Sequence, residues 1–348
     1  MIASRHKFWR DTGGRFDYNR RPKVREKIPV TVCVAALCEE DIIIGASDRM
    51  ITSGDIQFEP QQSKIWKLTA SLAIMTAGDS PLQTTLLGHL AAAVVARYGN
   101  DFKAIVPVNE VAELYSYYHA EEQAKEAARK YLAPFGLDLK SFLSRQKDLS
   151  PDFVSQVGNN MVNFSLPDVE AIIAGVDEVG ASLYQIFNGE VICQDAVGFA
   201  SIGAGGWHAS SQFMFAGHAR RRPVHDTMFL TYAAKKRAEV APGVGEATDM
   251  FYIGPGTGTY TKIHSETVAV LDKIYQEVRN NEAELRAQAV RKVEEYAEEI
   301  SREEAAARAA IEAQNALGSG GGGREPDDQK AIRGGVDEGE PEDGPTIH

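Results

Sequence analysis

The chain alternates between blocks that are apolar on both faces and blocks whose apolar positions recur at helical spacing. Val30 to Leu37 and Ile42 to Ala46 are apolar at nearly every position, the pattern of strands covered on two sides. The tight connection Cys38-Glu39-Glu40-Asp41 between them predicts a hairpin. A polar loop, Thr52–Ser63, precedes predicted strands at Lys64–Thr69 and Ser71–Ala77. Pro81–Tyr98 reads as a helix, with Asp79 or Ser80 as N-cap and the proline in the first turn. A more amphipathic helix is expected over 108–132. Residues 133–167 read as short helices and loops forming an insertion.

Strands resume at Val169–Val176, Ser182–Asn188, Val191–Gln194 and about Ala196–Ile202, with Asn188-Gly189 as a hairpin-turn signal. Helices follow at about Gly206–Arg220 and Val224–Val240, then strands at Asp249–Ile253 and Thr261–Leu271. Strands, two helices, strands, two helices and strands again predict an α+β fold with helices packed outside a strand core. From about Asp272 to Leu317 an Ala/Glu/Arg-rich helix is expected. Its apolar residues, Ile274, Val278, Leu285, Val293, Tyr296 and Ile300, lie near helical spacing, but Asn281 and Gln288 interrupt a heptad. The preferred reading is a solvated, charge-laced helix able to dock on a neighbouring subunit. The domain reading is therefore a basic arm or propeptide (1–29), a body (30–271), a charged helix (272–317) and a disordered acidic Gly/Pro tail (318–348).

Composition narrows the function classes. The formal charge of −12 over 348 residues argues against nucleic acid as a partner, because phosphate binding needs clustered Lys and Arg. Nine such residues do cluster within 1–28, but no apolar core follows them, so the segment is not a secretory signal. No stretch approaches the roughly 18 apolar residues of a membrane span, and a cytoplasmic location is expected. Cys33, Cys38 and Cys193 have no zinc-ligand spacing and read as buried small hydrophobes. His89, His208, His218 and His225 show no ligand spacing either. "GPGTGTY" at 254–260 lies between predicted strands instead of opening a helix, so it reads as a loop and not a nucleotide cradle. No metal or cofactor is expected.

Five short stretches carry a likeness to a known family: "IIIGASDRM", "QSKIWKL", "IMTAGDSPLQTTLL", "IIAGVDEVGASLYQI" and "IGAGG". In their order they resemble the proteasome-type N-terminal-nucleophile hydrolases, including bacterial two-ring peptidase subunits, over about Val30 to Leu271. Lys64 follows Asp48 by 16 positions and Gly78 follows Lys64 by 14, spacings that agree with the family's catalytic Asp, catalytic Lys and oxyanion-hole glycine. The resemblance implies a four-layer αββα sandwich and a threonine peptidase acting within a homo-oligomeric ring on peptide or unfolded-protein substrates, with an ATPase or cap as partner. Thr31 would be the nucleophile and, once freed at its amine, the base. Lys64 would lower the pKa of both groups, Asp48 would hold Lys64, and the Gly78 N–H would receive the oxyanion.

The sequence departs from the family at defined places. Thr31 lies 17 positions before Asp48, one more than the family's spacing, which an insertion in the Cys38–Asp41 turn would absorb; strict spacing lands on Val32. Val30 stands where the family prefers glycine before its threonine. Ala204, Ala238 and Ala241 occupy positions of a family serine, aspartate and serine that support the terminal amine, with Glu239 one position from a stand-in. Three readings stay open: an active threonine peptidase, a non-catalytic ring subunit of the same fold, and an interaction module acting through its C-terminal helix.

Overall fold

The computed structural model describes residues 31–53, 56–60 and 63–318. The expected arm or propeptide and the expected tail lie outside the described residues, apart from Gly318, which ends the last helix. Among the described residues the protein is mixed α+β with two five-stranded antiparallel sheets and a two-stranded ribbon.

The first sheet is built on the predicted hairpin. Strand β1 (Cys33–Cys38) pairs with β2 (Ile42–Asp48), and Cys33 lies opposite Ser47. A 3-10 turn, Glu39–Asp41, joins them with Asp41 at φ 53°. β3 (Ile51–Ser53) and β4 (Ile56–Phe58) form the ribbon inside what the sequence pattern gives as a plain loop. β5 (Ile65–Thr69) and β6 (Leu72–Gly78) then open the second sheet. Helix α1 (Ser80–Tyr98) starts where expected, with the Asp79 carboxylate accepting from Leu82 N–H and Pro81 in the first turn. α2 (Val108–Tyr131) follows. The 133–167 segment holds α3 (Leu139–Ser144) and α4 (Pro151–Val162), with a small apolar cluster of Leu132, Leu137, Phe142 and Val157.

β7 (Val169–Val176), β8 (Ala181–Phe187) and β9 (Glu190–Cys193) complete the second sheet in the order β5-β6-β7-β8-β9. β10 (Phe199–Ile202) returns to pair with β1. After α5 (Gly206–Phe215) and α6 (Val224–Ala238), β11 (Thr248–Ile253) pairs with β2, and β12 (Thr261–Lys262) closes the first sheet as β10-β1-β2-β11-β12. The final helix, α7, spans Ser265–Gly318. The chain divides into two compact units between Val278 and Arg279.

Period-two alternation assigns each face. Val34, Ala36, Ile44 and Ala46 join Phe213, Leu230 and Tyr232 from α5 and α6. Cys33, Ala35, Leu37 and Ile43 instead join Ala73, Met75, Ile172 and Leu183 of the second sheet. Ile74, Ala171 and Ile173 pack with Leu86, Leu90 and Tyr115 of α1 and α2. This accounts for strands that are apolar on both faces. The 254–260 segment is a loop, tied across to the second sheet by Gly258 N–H on Ser71 Oγ and Tyr260 N–H on the Ala70 carbonyl.

Three expectations are corrected. The predicted strand Thr261–Leu271 is a strand only at Thr261–Lys262, because Val268, Leu271 and Tyr275 meet the α5/α6 cluster at helical spacing. The helix therefore begins seven residues before the expected Asp272, and Tyr232 Oη donates to Asp272 at 2.7 Å. Second, α5 ends at Phe215 and not near Arg220, just before Gly217 at φ 59°. Third, Cys33 and Cys38 are buried but Cys193 is exposed on the edge strand β9. Among the described residues no helix is long and apolar enough to cross a membrane.

Gly45 shows how tightly the first sheet is closed. It lies opposite Phe251, and a Cβ there would sit 2.3 Å from the Phe251 ring, which stacks on Tyr260. Gly45→Ala must displace that ring, at a cost of about 1–3 kcal/mol. A lowered urea midpoint with unchanged m-value is the expected outcome.

Candidate active site

Strand β2 stays buried over its whole length and ends on Asp48, whose side chain is 0% exposed. A buried carboxylate needs compensation, and this one receives five donors. At Oδ1 it accepts from Val32 N–H (3.0 Å), from Lys64 Nζ (2.8 Å) and from the Thr31 hydroxyl (3.3 Å). At Oδ2 it accepts from the N–H groups of Met50 and Gly245, both at 3.0 Å. The charged end of an apolar strand is thus the hub of a polar cluster.

Thr31 is 2% exposed and precedes β1. Its Oγ1 also accepts a close hydrogen bond from Lys64 Nζ. Lys64 comes from the residue before β5, so its ammonium reaches from the second sheet into the end of the first. Three of the four expected site residues, Thr31, Asp48 and Lys64, form one hydrogen-bonded group. Gly78 lies outside that group, at the exposed end of β6. The Cys33 thiol reaches the Thr76 carbonyl at 3.7 Å, which brings the end of β6 beside the strand that follows Thr31. Gly78 has φ 102°, and a Cβ there would sit 2.3 Å from the Asp168 carbonyl, so the position admits only glycine.

The Thr31 backbone is held as well. Its carbonyl accepts from Gly205 N–H at 3.1 Å. Gly203, at φ 83°, approaches so closely that a Cβ would lie 2.4 Å from the same oxygen. The "IGAGG" stretch therefore cradles residue 31 with backbone alone. Ala204, half-buried between those glycines, offers no hydroxyl. Ala238 and Ala241 are buried.

Two functional-looking residues escaped the sequence reading. Lys235 on α6 is 0% exposed and bonds Glu239 Oε1 (2.6 Å) and the carbonyls of Gly245 (2.9 Å) and Glu246 (2.8 Å). Burial lowers its pKa, and the bond to Glu239 opposes that fall. Lys235 thereby fixes the loop whose Gly245 N–H reaches Asp48. Glu239 does take part in the site's surroundings, as this lysine's counter-ion. The second residue is Glu170 on β7, whose carboxylate accepts from Gly203 N–H at 3.0 Å; burial raises its pKa and that bond partly offsets the rise. A lone acid in the apolar run "VEAIIAGV" was the available signal. Cys33 is no nucleophile, since burial pushes its thiol far up despite the opposing pull of Lys64.

Beside the cluster Arg49 makes a two-bonded pair with Asp249, its Nε donating at 2.9 Å. Among the described residues no group of three or more His, Cys, Asp or Glu could hold a metal ion. No protein-family model and no curated protein matches the chain.

Asp48→Asn keeps the shape but turns one oxygen into a donor facing two N–H groups or facing Lys64. It also leaves the lysine without its counter-ion. A loss of about 3–5 kcal/mol in denaturant unfolding is expected. For Asp249, burial pushes the pKa up, but the bonds to Arg49 and Ser63 and the nearby Arg49 and Lys262 charges together leave the value lowered. A depressed carboxylate stabilises above its unfolded pKa and loses that contribution as pH falls through the folded value. The stability gap between wild type and Asp249→Asn should therefore be full at pH 7 and shrink below about pH 4, as read by urea titrations at several pH values.

Proposed function

We infer that this chain is a proteasome-type N-terminal-nucleophile hydrolase subunit, a threonine peptidase that cleaves peptide bonds within a homo-oligomeric ring. The observation that carries this reading is the Lys64 ammonium bonded at once to the Thr31 hydroxyl and the Asp48 carboxylate. Further support comes from the layering of apolar clusters: helices against the outer face of each sheet, with a shared interior between the sheets. That is the arrangement expected of a four-layer αββα sandwich. The turn at Glu39–Asp41 is where the extra residue between Thr31 and Asp48 would be accommodated.

In this reading, cleavage after Val30 frees the Thr31 amine. That amine takes the hydroxyl proton as Oγ1 attacks the scissile carbonyl carbon. The adjacent ammonium favours the deprotonated forms of both groups. The developing oxyanion is received by the N–H of Gly78. The amine then returns its proton to the departing peptide amine, and water hydrolyses the resulting ester. Intracellular protein turnover with an ATPase or cap partner would be the setting.

A second reading rests on a specific observation. Ala204, Ala238 and Ala241 supply no hydroxyl or carboxylate around residue 31, which fits a non-catalytic ring subunit in which Asp48–Lys64 is a structural ion pair.

Intact mass of untagged protein, followed by a fluorogenic-peptide assay, separates the two. The peptidase reading expects loss of residues 1–30 together with hydrolysis. Thr31→Ala should abolish both, and Lys64→Met should lower the rate about a hundredfold or more. A full-length mass without hydrolysis overturns it in favour of the scaffold subunit.

A further inference from the structure

Near the start of α1 lies a buried polar side chain that takes no part in the cluster around Asp48. Gln83 is 4% exposed and sits beside the apolar cluster that includes Leu86 and Tyr115. A buried amide is costly unless its polar groups are bonded, and here both ends are. Nε2 donates to the carbonyls of Ala77 at 3.0 Å and Glu170 at 2.9 Å. Oε1 accepts from the hydroxyl of fully buried Tyr115 at 2.7 Å. Burial pushes that phenol's pKa up, so it stays protonated and donates. Gln83 thus uses both of its donors and its acceptor.

Apolar burial already holds α1 to the sheet through Leu82, Leu86, Leu87 and Leu90. What the amide adds is direction. The Ala77 carbonyl and the Gly78 N–H belong to one peptide group, which is planar and trans, so they point opposite ways. Ala77 and Glu170 lie opposite each other on β6 and β7. One amide nitrogen reaches both carbonyls only where they lie between those two strands, so the Ala77 carbonyl is turned towards β7. The Gly78 N–H is therefore turned towards the other neighbour of β6, which is β5. That is the side from which Lys64, just before β5, reaches the Thr31 hydroxyl. Glycine, here at φ 102°, leaves this peptide freer to turn over than any other residue would. Turned over, it would present a carbonyl oxygen in place of a donor.

We propose that Gln83, oriented by Tyr115, is a positioning residue for the oxyanion donor, gripping the Ala77 carbonyl so that the Gly78 N–H faces the Thr31 side. This rests on the peptidase reading, in which that N–H receives the oxyanion. Gln83 acts through the peptide and touches no substrate. The oxyanion develops only on the way to the transition state, so a misdirected donor lowers kcat and leaves KM little changed.

Fluorogenic-peptide hydrolysis by the full chain and its variants tests this, with urea unfolding measured alongside. Gln83→Met keeps the length of the side chain and removes its bonds. It should lower kcat by about 10- to 100-fold with KM little changed, since losing an oxyanion donor outright costs about 10²–10³. Tyr115→Phe removes only the hydroxyl and should lower kcat less. The double variant should be no slower than Gln83→Met, because the two residues act as one unit. Leu90→Ala, in the same apolar cluster, should lower the urea midpoint and leave kcat unchanged. A wild-type kcat in Gln83→Met, or a change in KM alone, overturns the proposal and leaves the peptidase reading standing. If Gln83→Met does not fold, equal kcat in Tyr115→Phe and Leu90→Ala overturns it. A wild-type chain that hydrolyses nothing overturns that reading and this proposal with it.

Discussion

Everything near the candidate site depends on keeping one carboxylate charged without water. Asp48 has no exposure, and isolated burial of such a group would cost several kcal/mol. Its five donors come from the residues preceding β1, the turn after β2, the residue before β5 and the loop after α6. Four separate stretches of chain are therefore registered on a single side chain. The Thr31 hydroxyl sits where it does because Asp48 and Lys64 both hold it, and the attraction between those two charges is strengthened by the same exclusion of water.

The loop after α6 illustrates how irregular backbone is made definite. Residues 241–247 have no sheet partner, yet Gly245 and Glu246 give their carbonyls to Lys235, Ala247 N–H goes to Glu59 at 3.2 Å, and Gly245 N–H goes to Asp48. A buried lysine is an expensive way to fix a loop unless its donors are all used. Here Glu239 and the two carbonyls occupy them.

Much of this was legible in the chain because the physics is local or strictly periodic. Strands buried on both faces announce themselves as unbroken apolar runs, and Asp79-Ser80-Pro81 marks a helix start by its hydrogen-bonding and φ preferences. The approach of Thr31, Asp48 and Lys64 could be expected from spacing only through the family resemblance; residue types alone would not bring 31 and 64 together. The helical start of α7 reads as strand in the sequence because Thr267, Val268 and Val270 are β-branched, and only the cluster that Val268 and Leu271 meet decides their period. Lys235 was hidden for a similar reason. A lysine in "AAKKRAEV" reads as surface charge until the loop that covers it is known.

One feature of the cradle around residue 31 bears on the order of events. The Thr31 carbonyl is bound to Gly205 N–H and closed in by Gly203, and its hydroxyl is bound on two sides. None of these anchors uses the residue's own nitrogen. A chain cut after Val30 would thus leave a new terminus whose carbonyl and side chain are already immobilised, where chain ends ordinarily fray. In the peptidase reading proposed above, the rotational freedom lost in orienting the nucleophile would then have been met during folding.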